Sequence, residues 1–495
     1  MSEARQRLRR ICIAGAGQVG VIAALALRRA LPDCEVVVLG LPGDPAAFAD
    51  RAATALPTSN RLHDRLGVDE GLIVQKAAGS HRLVSRYFGW GEEGRSGAMP
   101  HGAQVDPKLR TRFASEWGGG ERDGGKAAPG SLAEVLANAG RFAVPPGDRA
   151  TPLDDIDYAL RWNMQAYRDL LVGMAQQAGI SYAQGQIAGL ETDGAGGLAA
   201  IAVEGQGRIE AELFLDCSGP AARLLSALPG ARRADWGAYL PVRRVLYGKP
   251  GQGMLALEDR FSLLPEGWLL EFAGVDGLQG SMGLGEGVAE DAALRALQAE
   301  PAEMVAVRPG AAAQAWVGNV VALGDAAATF EPLGHLNLDL AHRQLMLLLE
   351  MLPGAQIEPL ERAEFNRRAA LMAANVRDVL AMHYAAPRAR AVFGEQPLPE
   401  TLAHLLDQFT RRGRLPFREE GGLLNQEYTA LLSALGFASG TTPQSLAQDP
   451  READAARAAF EAQAQAALQF APPYQQFMAQ MLNPQPQGMA GDLQY

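Results

Sequence analysis

A strand, a glycine turn and a helix near the start of the chain constrain the fold most. Residues Ile11–Ala14 form an apolar run of β type and lead into Gly15-x-Gly17-x-x-Gly20; a helical pattern carrying Ala23, Leu25 and Leu27 follows. A second strand is predicted at Val36–Leu39. Glycines at this spacing permit a tight turn and let the backbone approach a pyrophosphate, whose charge is favoured at the helix N-terminus. The order predicts a βαβ dinucleotide-binding unit, with Gly15, Gly17, Gln18, Val19 and Gly20 at the phosphates. One component is missing. The acid that ordinarily ends the second strand and holds the ribose hydroxyls falls at Gly40, and Asp44 is the nearest carboxylate.

At 495 residues the chain can bury a large core and divides by length into two or three units. Hydrophobic residues at 48% with 20% charged are ordinary for a globular enzyme. A formal charge of -11 argues against nucleic acid as a partner. The basic run Arg5–Arg10 passes directly into the first strand, and the apolar run after it is broken by Gly15, Gly17 and Gln18, which favours a strand over a signal peptide. No stretch reaches the roughly 18 uncharged apolar residues of a membrane span. Cys12, Cys34 and Cys217 show no metal or disulfide spacing, so no metal site is expected and a reducing cytoplasm is the expected setting.

Along the chain, a helical piece is expected at Ala46–Ala55, and residues 91–150, rich in Gly, Pro and charge, read as a loop-rich insert near a site. A long helix is expected over Tyr158–Ala178, then a β-meander from Ile180 to Gly219, further strands over 236–285 and an amphipathic helix over 289–306. A buried strand at Val320–Leu323 meets Gly324-Asp325 and the Pro332-Leu-Gly334 bend, and a helix follows. Helices are then expected at Glu361–Tyr384, Leu398–Arg411, Gln426–Leu435 and Arg451–Phe470. The expected divisions are 1–90 (first part of the dinucleotide-binding domain), 91–150 (insert), 151–350 (continuation of that domain with the substrate portion), 351–475 (helical) and 476–495 (disordered tail).

Three distant pieces fit one ligand in the order of an FAD-dependent monooxygenase: the turn at Gly15, Asp216-Cys-Ser-Gly219, and Gly324-Asp325 with the Pro332 and Gly334 bend. Asp325 can reach a ribityl hydroxyl, and Gly334 with the following helix offers backbone N–H groups to the flavin; a plain strand-helix turn with Asp as N-cap is the alternative for Asp325. The chain resembles the flavin-dependent tryptophan halogenase family from Arg9 to about Gln448. The resemblance is carried by LHDRLGVDE with Trp90, Tyr158-Ala-Leu-Arg-Trp-Asn163, AELFLDCSG, Trp316-Val-Gly-Asn319 with Glu331-Pro332-Leu333, and Phe365-Asn366 with Arg377-Asp378 and His383-Tyr384. It implies an α/β fold: a Rossmann-like FAD-binding domain with an inserted mixed or antiparallel sheet for substrate and a helical C-terminal region. It also implies FAD as cofactor, contacts at Ile187, Ser218, Gly219, Gly324, Asp325, Pro332, Gly334 and Leu336, a separate flavin reductase and a small, aromatic or bulky substrate. A homodimer is compatible with it. In the family, reduced FAD forms a hydroperoxide that halide attacks, and hypohalous acid then travels to a lysine facing the substrate.

Residue by residue, the chain departs from that chemistry. An ungapped register from Asp69-Glu70 to Trp90 puts Arg82 where the lysine belongs, while Lys76 stands off the register. A guanidinium stays protonated and cannot act as a nucleophilic amine, though it can hydrogen-bond an oxidant or anion. The family's WxWxIP becomes Trp268-Leu-Leu-Glu-Phe-Ala273, and Gly334 and His335 replace the glutamate and serine after the bend. His335 and Glu331 are the candidate acid–base groups beside Arg82; the alternatives are a capping or packing histidine and a solvent-facing turn residue. His63, His81, His101 and His383 are expected to be structural or superficial. The expected activity is FAD-dependent oxygenation or oxidation of an aromatic or bulky metabolite. The alternatives are a halogenase with a relay altered around Arg82 and His335, and a catalytically inactive halogenase-like scaffold.

Overall fold

The computed structural model describes residues 6–91, 93–94, 96–104, 130–443 and 450–483. Its organising layer is a six-stranded sheet in the order Trp316–Val317, Val320–Ala322, Leu213–Asp216, Arg10–Ala14, Glu35–Gly40, Ser181–Gln184. All neighbours are parallel except the first pair. Parallel strands are covered on both faces, which explains why Ile11, Ile13, Val38, Phe214 and Leu215 are all 0% exposed and why these segments read as continuous apolar runs. The helix Gln18–Ala30 lies against this layer, and the helix Leu336–Glu350 packs on it in turn. Each fully buried Leu or Ile contributes about 1.5–3 kcal/mol to holding the layers together.

A second, seven-stranded sheet runs Pro301–Ala306, Arg244–Gly248, Gln279–Leu284, Gly267–Phe272, Glu258–Leu264, Val84–Phe88, Ser96–Pro100, antiparallel except where Glu258–Leu264 meets Val84–Phe88. A short antiparallel ladder joins Ser80–Arg82 to Ala159–Arg161. The C-terminal part is helical, at Pro359–Ala385, Glu400–Arg412, Asn425–Ala434 and Pro450–Phe470, as the apolar periodicity predicts. The mixed α/β architecture agrees with the expected fold class.

Several local expectations are corrected. Residues 46–55 form turns rather than a helix: the Ala49 amide leaves the local ladder for the Asp325 carboxylate, at 2.7 Å. The segment expected to be helical from Tyr158 begins as the strand Ala159–Arg161, and its helix starts at Met164, where Asn163 caps the Ala166 amide. Ser181–Gln184 belongs to the parallel sheet and not to the meander, which consists of Ile187–Thr192, Leu198–Val203 and Gly207–Glu210. The helix expected over 289–306 stops at Leu297, with Gln298 left-handed at φ +53°, and Pro301–Ala306 pairs as a strand. A helix at Tyr474–Leu482 occupies the start of the expected tail, while residues 484–495 and the glycine runs at 118–120 and 124–125 lie outside the described residues. No described helix is long and apolar enough to cross a membrane.

Candidate functional site

The glycine turn has the geometry its spacing predicts. Gly15 has φ +116°, and a Cβ there would stand 2.1 Å from the Cys217 carbonyl oxygen. A Cβ on Gly20 would stand 2.0 Å from the Gly15 carbonyl oxygen. Both contacts are with backbone, so neither position accepts a side chain. The second motif adjoins the first through strand pairing of Ala14 with Asp216. Within it, Asp216 accepts from the Ser218 amide and hydroxyl and from the amides of Leu224 and Leu225, so the Ser218 hydroxyl is spent on bracing this turn. The third motif closes the crevice. Gly324 is left-handed at φ +60°, its amide held by Gln344 at 2.9 Å, and Asp325 is 4% exposed.

FAD fits the donor set of this crevice. Asp325 Oδ1 and Gln18 Oε1 have no hydrogen-bond partner among the described residues, a costly state that a ligand hydroxyl or amide would relieve. Burial drives the Asp325 pKa well above the ordinary carboxylate value, with Asp50 adding to the rise. The crevice is nonetheless filled by the chain itself. Asp50 Oδ1 accepts from the Val19 amide at 3.0 Å, and Gln18 donates to the carbonyls of Ala49 and Ala52 at 2.7 and 2.8 Å. A Cβ on Gly17 would stand 2.0 Å from the Asp50 carboxylate, and one on Gly219 3.2 Å from Ala47. At the ribose end the last residue of its strand, Gly40, meets Gln184: a Cβ there would stand 2.6 Å from the Gln184 amide oxygen. Ile187 lies three residues further on, half-buried, at the start of its strand.

A charged cluster lies beside the bend. Arg82 and Arg161 are brought together by the short ladder: Arg161 stands opposite Ser80, and Ser80 and Arg82 share a face by the two-residue repeat of a strand. Asp259, on the strand Glu258–Leu264, bridges them, with Oδ2 3.2 Å from Arg82 Nη1 and Oδ1 3.0 Å from Arg161 Nη1. Arg82 also donates to the Ala55 carbonyl at 3.1 Å, and Arg161 to the carbonyls of His81 and Ala256. Arg82, Arg161 and Asp259 are at most 1% exposed. His335 Nε2 stands 3.2 Å from Asp259 Oδ2, short of an aligned hydrogen bond. Its ring meets Phe261 and Phe272 edge-on. Burial and then the nearby Arg82 push the His335 pKa down to about 4 against the pull of Asp259, so the ring is neutral near pH 7. Burial works to raise Asp259, but Arg161, His335 and Arg82 outweigh it and hold the carboxyl well below the usual range.

The structure therefore joins two of the three candidate catalytic residues, Arg82 and His335, through an aspartate that the sequence did not single out. Glu331 turns elsewhere. It is fully buried rather than solvent-facing, accepts from the Tyr384 hydroxyl at 2.5 Å, and burial lifts its pKa to about 7. Trp268 Nε1 donates to the same hydroxyl at 3.1 Å, which ties the retained tryptophan to the C-terminal helices. Pro332, Gly334 and Leu336 shape the bend, and Gly334 at φ +79° and His335 at φ +58° are both left-handed. For a histidine that conformation stores about 1–3 kcal/mol of strain, a feature concentrated at functional sites. Lys76 is exposed at the end of the helix Glu70–Lys76 and takes no part. His63, His81, His101 and His383 are buried on Tyr167, Glu70, Glu427 and the Val379 carbonyl, all structural arrangements. Among the described residues no group of His, Cys, Asp and Glu is placed to hold a metal. Asp259 carried one signal in the sequence, an acid inside a strand-like run between Leu257 and Phe261, where aspartate is disfavoured unless paired.

Comparison with known proteins agrees with this architecture. The chain is 24% identical over 449 residues to the tryptophan 7-halogenase KtzQ of Kutzneria sp. (strain 744), covering 83% of each chain. It is 22% identical over 424 residues to the tryptophan 7-halogenase RebH of Lentzea aerocolonigenes, with 78% of each covered. The structure of BrvH, a flavin-dependent halogenase from Brevundimonas sp. BAL3, superposes with a TM-score of 0.84 at 22% identity, over 96% of this chain and 99% of that one. Xcc4156, a flavin-dependent halogenase from Xanthomonas campestris, gives 0.85 at 22% identity, over 96% and 99%. The tryptophan halogenase family model matches residues 10–450, and the chain belongs to that family of FAD-dependent flavoenzymes.

Proposed function

We propose that this family member uses FAD to oxygenate or oxidise an aromatic or otherwise bulky small molecule, and does not halogenate through a lysine relay. One observation carries the proposal: Arg82, at the position expected for the lysine, is fully buried and fixed by Asp259 and the Ala55 carbonyl. A permanently charged guanidinium held on two partners offers no nucleophilic amine. When bound, FAD supplies the redox chemistry and the reaction with oxygen. The remaining work falls to the chain. Arg82 and Arg161 share one carboxylate while His335 is neutral, so the cluster keeps a net positive charge in a water-poor interior. Charge placed in advance in such a setting stabilises an oxyanion developing on a substrate. The ionised Asp259 favours the proton on the facing His335 Nε2, which leaves Nδ1 as the basic nitrogen. With its pKa held near 4 the neutral ring is a weak base at pH 7, so its part is to accept a hydrogen bond from a substrate hydroxyl and orient it.

The reduced cofactor would come from a separate flavin reductase, as the family uses. Incubating the protein with FAD, a reductase, NADH and a panel of indoles and phenols tests the proposal. Product formation unchanged between halide-free buffer and bromide is expected, and product that appears only with halide overturns it. Retained halogenation is the second possibility, favoured by family membership and by the buried cationic pair, which could hold an anionic oxidant. A homodimer working in the cytoplasm belongs to the same proposal, and sedimentation velocity and cell fractionation measure the two.

A further inference from the structure

Three arginines line one open cavity beside the short ladder of Arg233–Asp235, Gly310–Ala312 and Ala328–Thr329. Its volume of about 400 Å³ lies within the roughly 300–1,000 Å³ of small-molecule pockets. Arg233 reaches inward from the exposed rim and donates to the hydroxyl of the buried Thr329 at 2.6 Å and to the Gly310 carbonyl at 2.9 Å. Arg243 is half-buried and donates to the carbonyls of Leu240, Gly237 and Val242 at 2.6, 2.8 and 3.2 Å. Arg308 stands exposed on the rim. Among the described residues none of the three is ion-paired with a carboxylate. Asp235 is the acid on the lining, and its Oδ1 accepts from the Gly237 amide at 2.7 Å. Asp325 and Glu331 act on Arg233 and Arg243 only from a distance, and burial disfavours the charged form of both. A guanidinium fixed by carbonyls and a hydroxyl keeps its whole charge and its remaining N–H donors. Three guanidiniums less one carboxylate leave two positive charges on this wall, in a chain whose formal charge is -11.

We propose that this cavity binds a phosphate group, free or as the monoester of a small metabolite, with Arg233 and Arg243 as fixed donors and Arg308 meeting it from the rim. A phosphate monoester carries about 1.5–2 negative charges at pH 7 and offers three acceptor oxygens, which matches the uncompensated charge of the wall. The planar fork of arginine fits such oxygens in pairs. A halide or a lone carboxylate would neutralise only half of that charge. Val307 and Pro309 supply an apolar side, and the volume leaves room beyond the phosphate for a sugar or a ring. The floor is kept small by Gly237, where a Cβ would stand 3.0 Å from Asp235 Oδ1 and 3.4 Å from Arg243 Nη2. None of the lining residues belongs to the three flavin motifs, so the site is separate from the glycine turn at Gly15. Arg233 is nonetheless braced by the third motif, because Thr329 donates in turn to the Asp325 carbonyl at 2.8 Å.

Isothermal titration calorimetry of the full-length protein in excess FAD, which keeps nucleotides off the glycine turn, tests the site. The probes are inorganic phosphate, adenosine monophosphate, NADP+ and NAD+. Wild type is expected to bind phosphate or an ester of it saturably, with a Kd below about 1 mM. Arg308→Gln, which loses no hydrogen bond of the fold, should weaken that binding about tenfold, and Arg243→Gln at least as much, with circular dichroism confirming that both variants are folded. Arg295→Gln, an exposed arginine outside the cavity, should bind as wild type does. The probes also separate the sources of the phosphate, and each of these results supports the site. Adenosine monophosphate tighter than phosphate identifies an esterified ligand, NADP+ tighter than NAD+ a sugar phosphate, and equal affinity for phosphate and its esters the free anion. Absence of saturable binding by every probe up to about 1 mM overturns the proposal. So does binding by Arg308→Gln and Arg243→Gln within about twofold of wild type, or an equal loss in Arg295→Gln, since the phosphate would then sit elsewhere. Product chemistry, which decides between oxygenation and halogenation, does not enter these readouts.

Discussion

Substituting Asp259→Asn isolates the carboxylate on which the charged cluster depends. The side chain is fully buried, 3.0 Å from Arg161, 3.2 Å from Arg82 and 3.2 Å from His335. The amide preserves size but removes the only negative charge among these four groups, leaving two guanidiniums buried without compensation. Breaking a buried ion pair from one side costs about 3–5 kcal/mol. For a chain of 495 residues, an unfolding entropy of about 2.1 cal/mol/K per residue converts that into a fall in melting temperature of about 3–5 °C. The pH dependence is signed. The folded carboxyl titrates below its unfolded value, so its contribution is complete above about pH 4 and fades only as pH falls toward the folded pKa. The gap between wild type and variant should therefore be constant from pH 6 to pH 9. Melts followed by circular dichroism, with the Arg82→Gln and double variants completing a cycle, measure both the loss and the coupling. Replacing Arg82 as well should recover about 1–3 kcal/mol of the loss. A fall of less than about 1 °C, or strictly additive variants, would refute the claim that Asp259 organises the cluster.

Two further outcomes follow from buried groups. Glu331 has its folded pKa raised to about 7 from an ordinary value of 4.5, so its carboxyl costs nothing below that ordinary value, costs more as pH rises from there, and carries its full cost above about 7. Glu331→Gln should match wild type near pH 5 and melt above it at pH 8.5, and a gap that narrows with rising pH would contradict the assignment. Gly15→Ala and Gly20→Ala drive a Cβ to within 2.1 and 2.0 Å of backbone oxygen, so both should lower the melting temperature and abolish FAD uptake measured by fluorescence. Gly17→Ala meets only the movable Asp50 side chain and should be milder. Equal effects at Gly15 and Gly17 would argue that the crevice is not rigid where the two strands converge.

Features fixed by a few neighbouring residues were legible in the sequence. The Gly15 turn is a local backbone demand, and so is the left-handed Gly324 before Asp325. The C-terminal helices follow from a 3.6-residue apolar period that nothing distant overrides. Arg82, His335 and Glu331 could be named, but their grouping could not. The Asp259 bridge arises where a strand some 180 residues away pairs with Val84–Phe88 and the ladder Ser80–Arg82 meets Ala159–Arg161. No local pattern records that meeting. The error at 46–55 has the opposite cause: an alanine-rich run is a good helix former, yet its amides are worth more on Asp325 and its carbonyls on Gln18 than in a short, marginal helix. Asp50 therefore had no sequence signal, although it occupies the most strongly predicted site in the chain.

Mass spectrometry of products made under oxygen-18 gas with bromide present tests the central claim most directly. The protein, FAD, a flavin reductase, NADH and the indole and phenol panel complete the mixture. The buried, permanently charged Arg82 predicts products without a bromine isotope pattern, carrying one oxygen-18 atom where the reaction is an oxygenation and two hydrogens fewer than the substrate where it is an oxidation. A monobrominated product without oxygen-18 would contradict it and return the chain to the chemistry of its halogenase relatives.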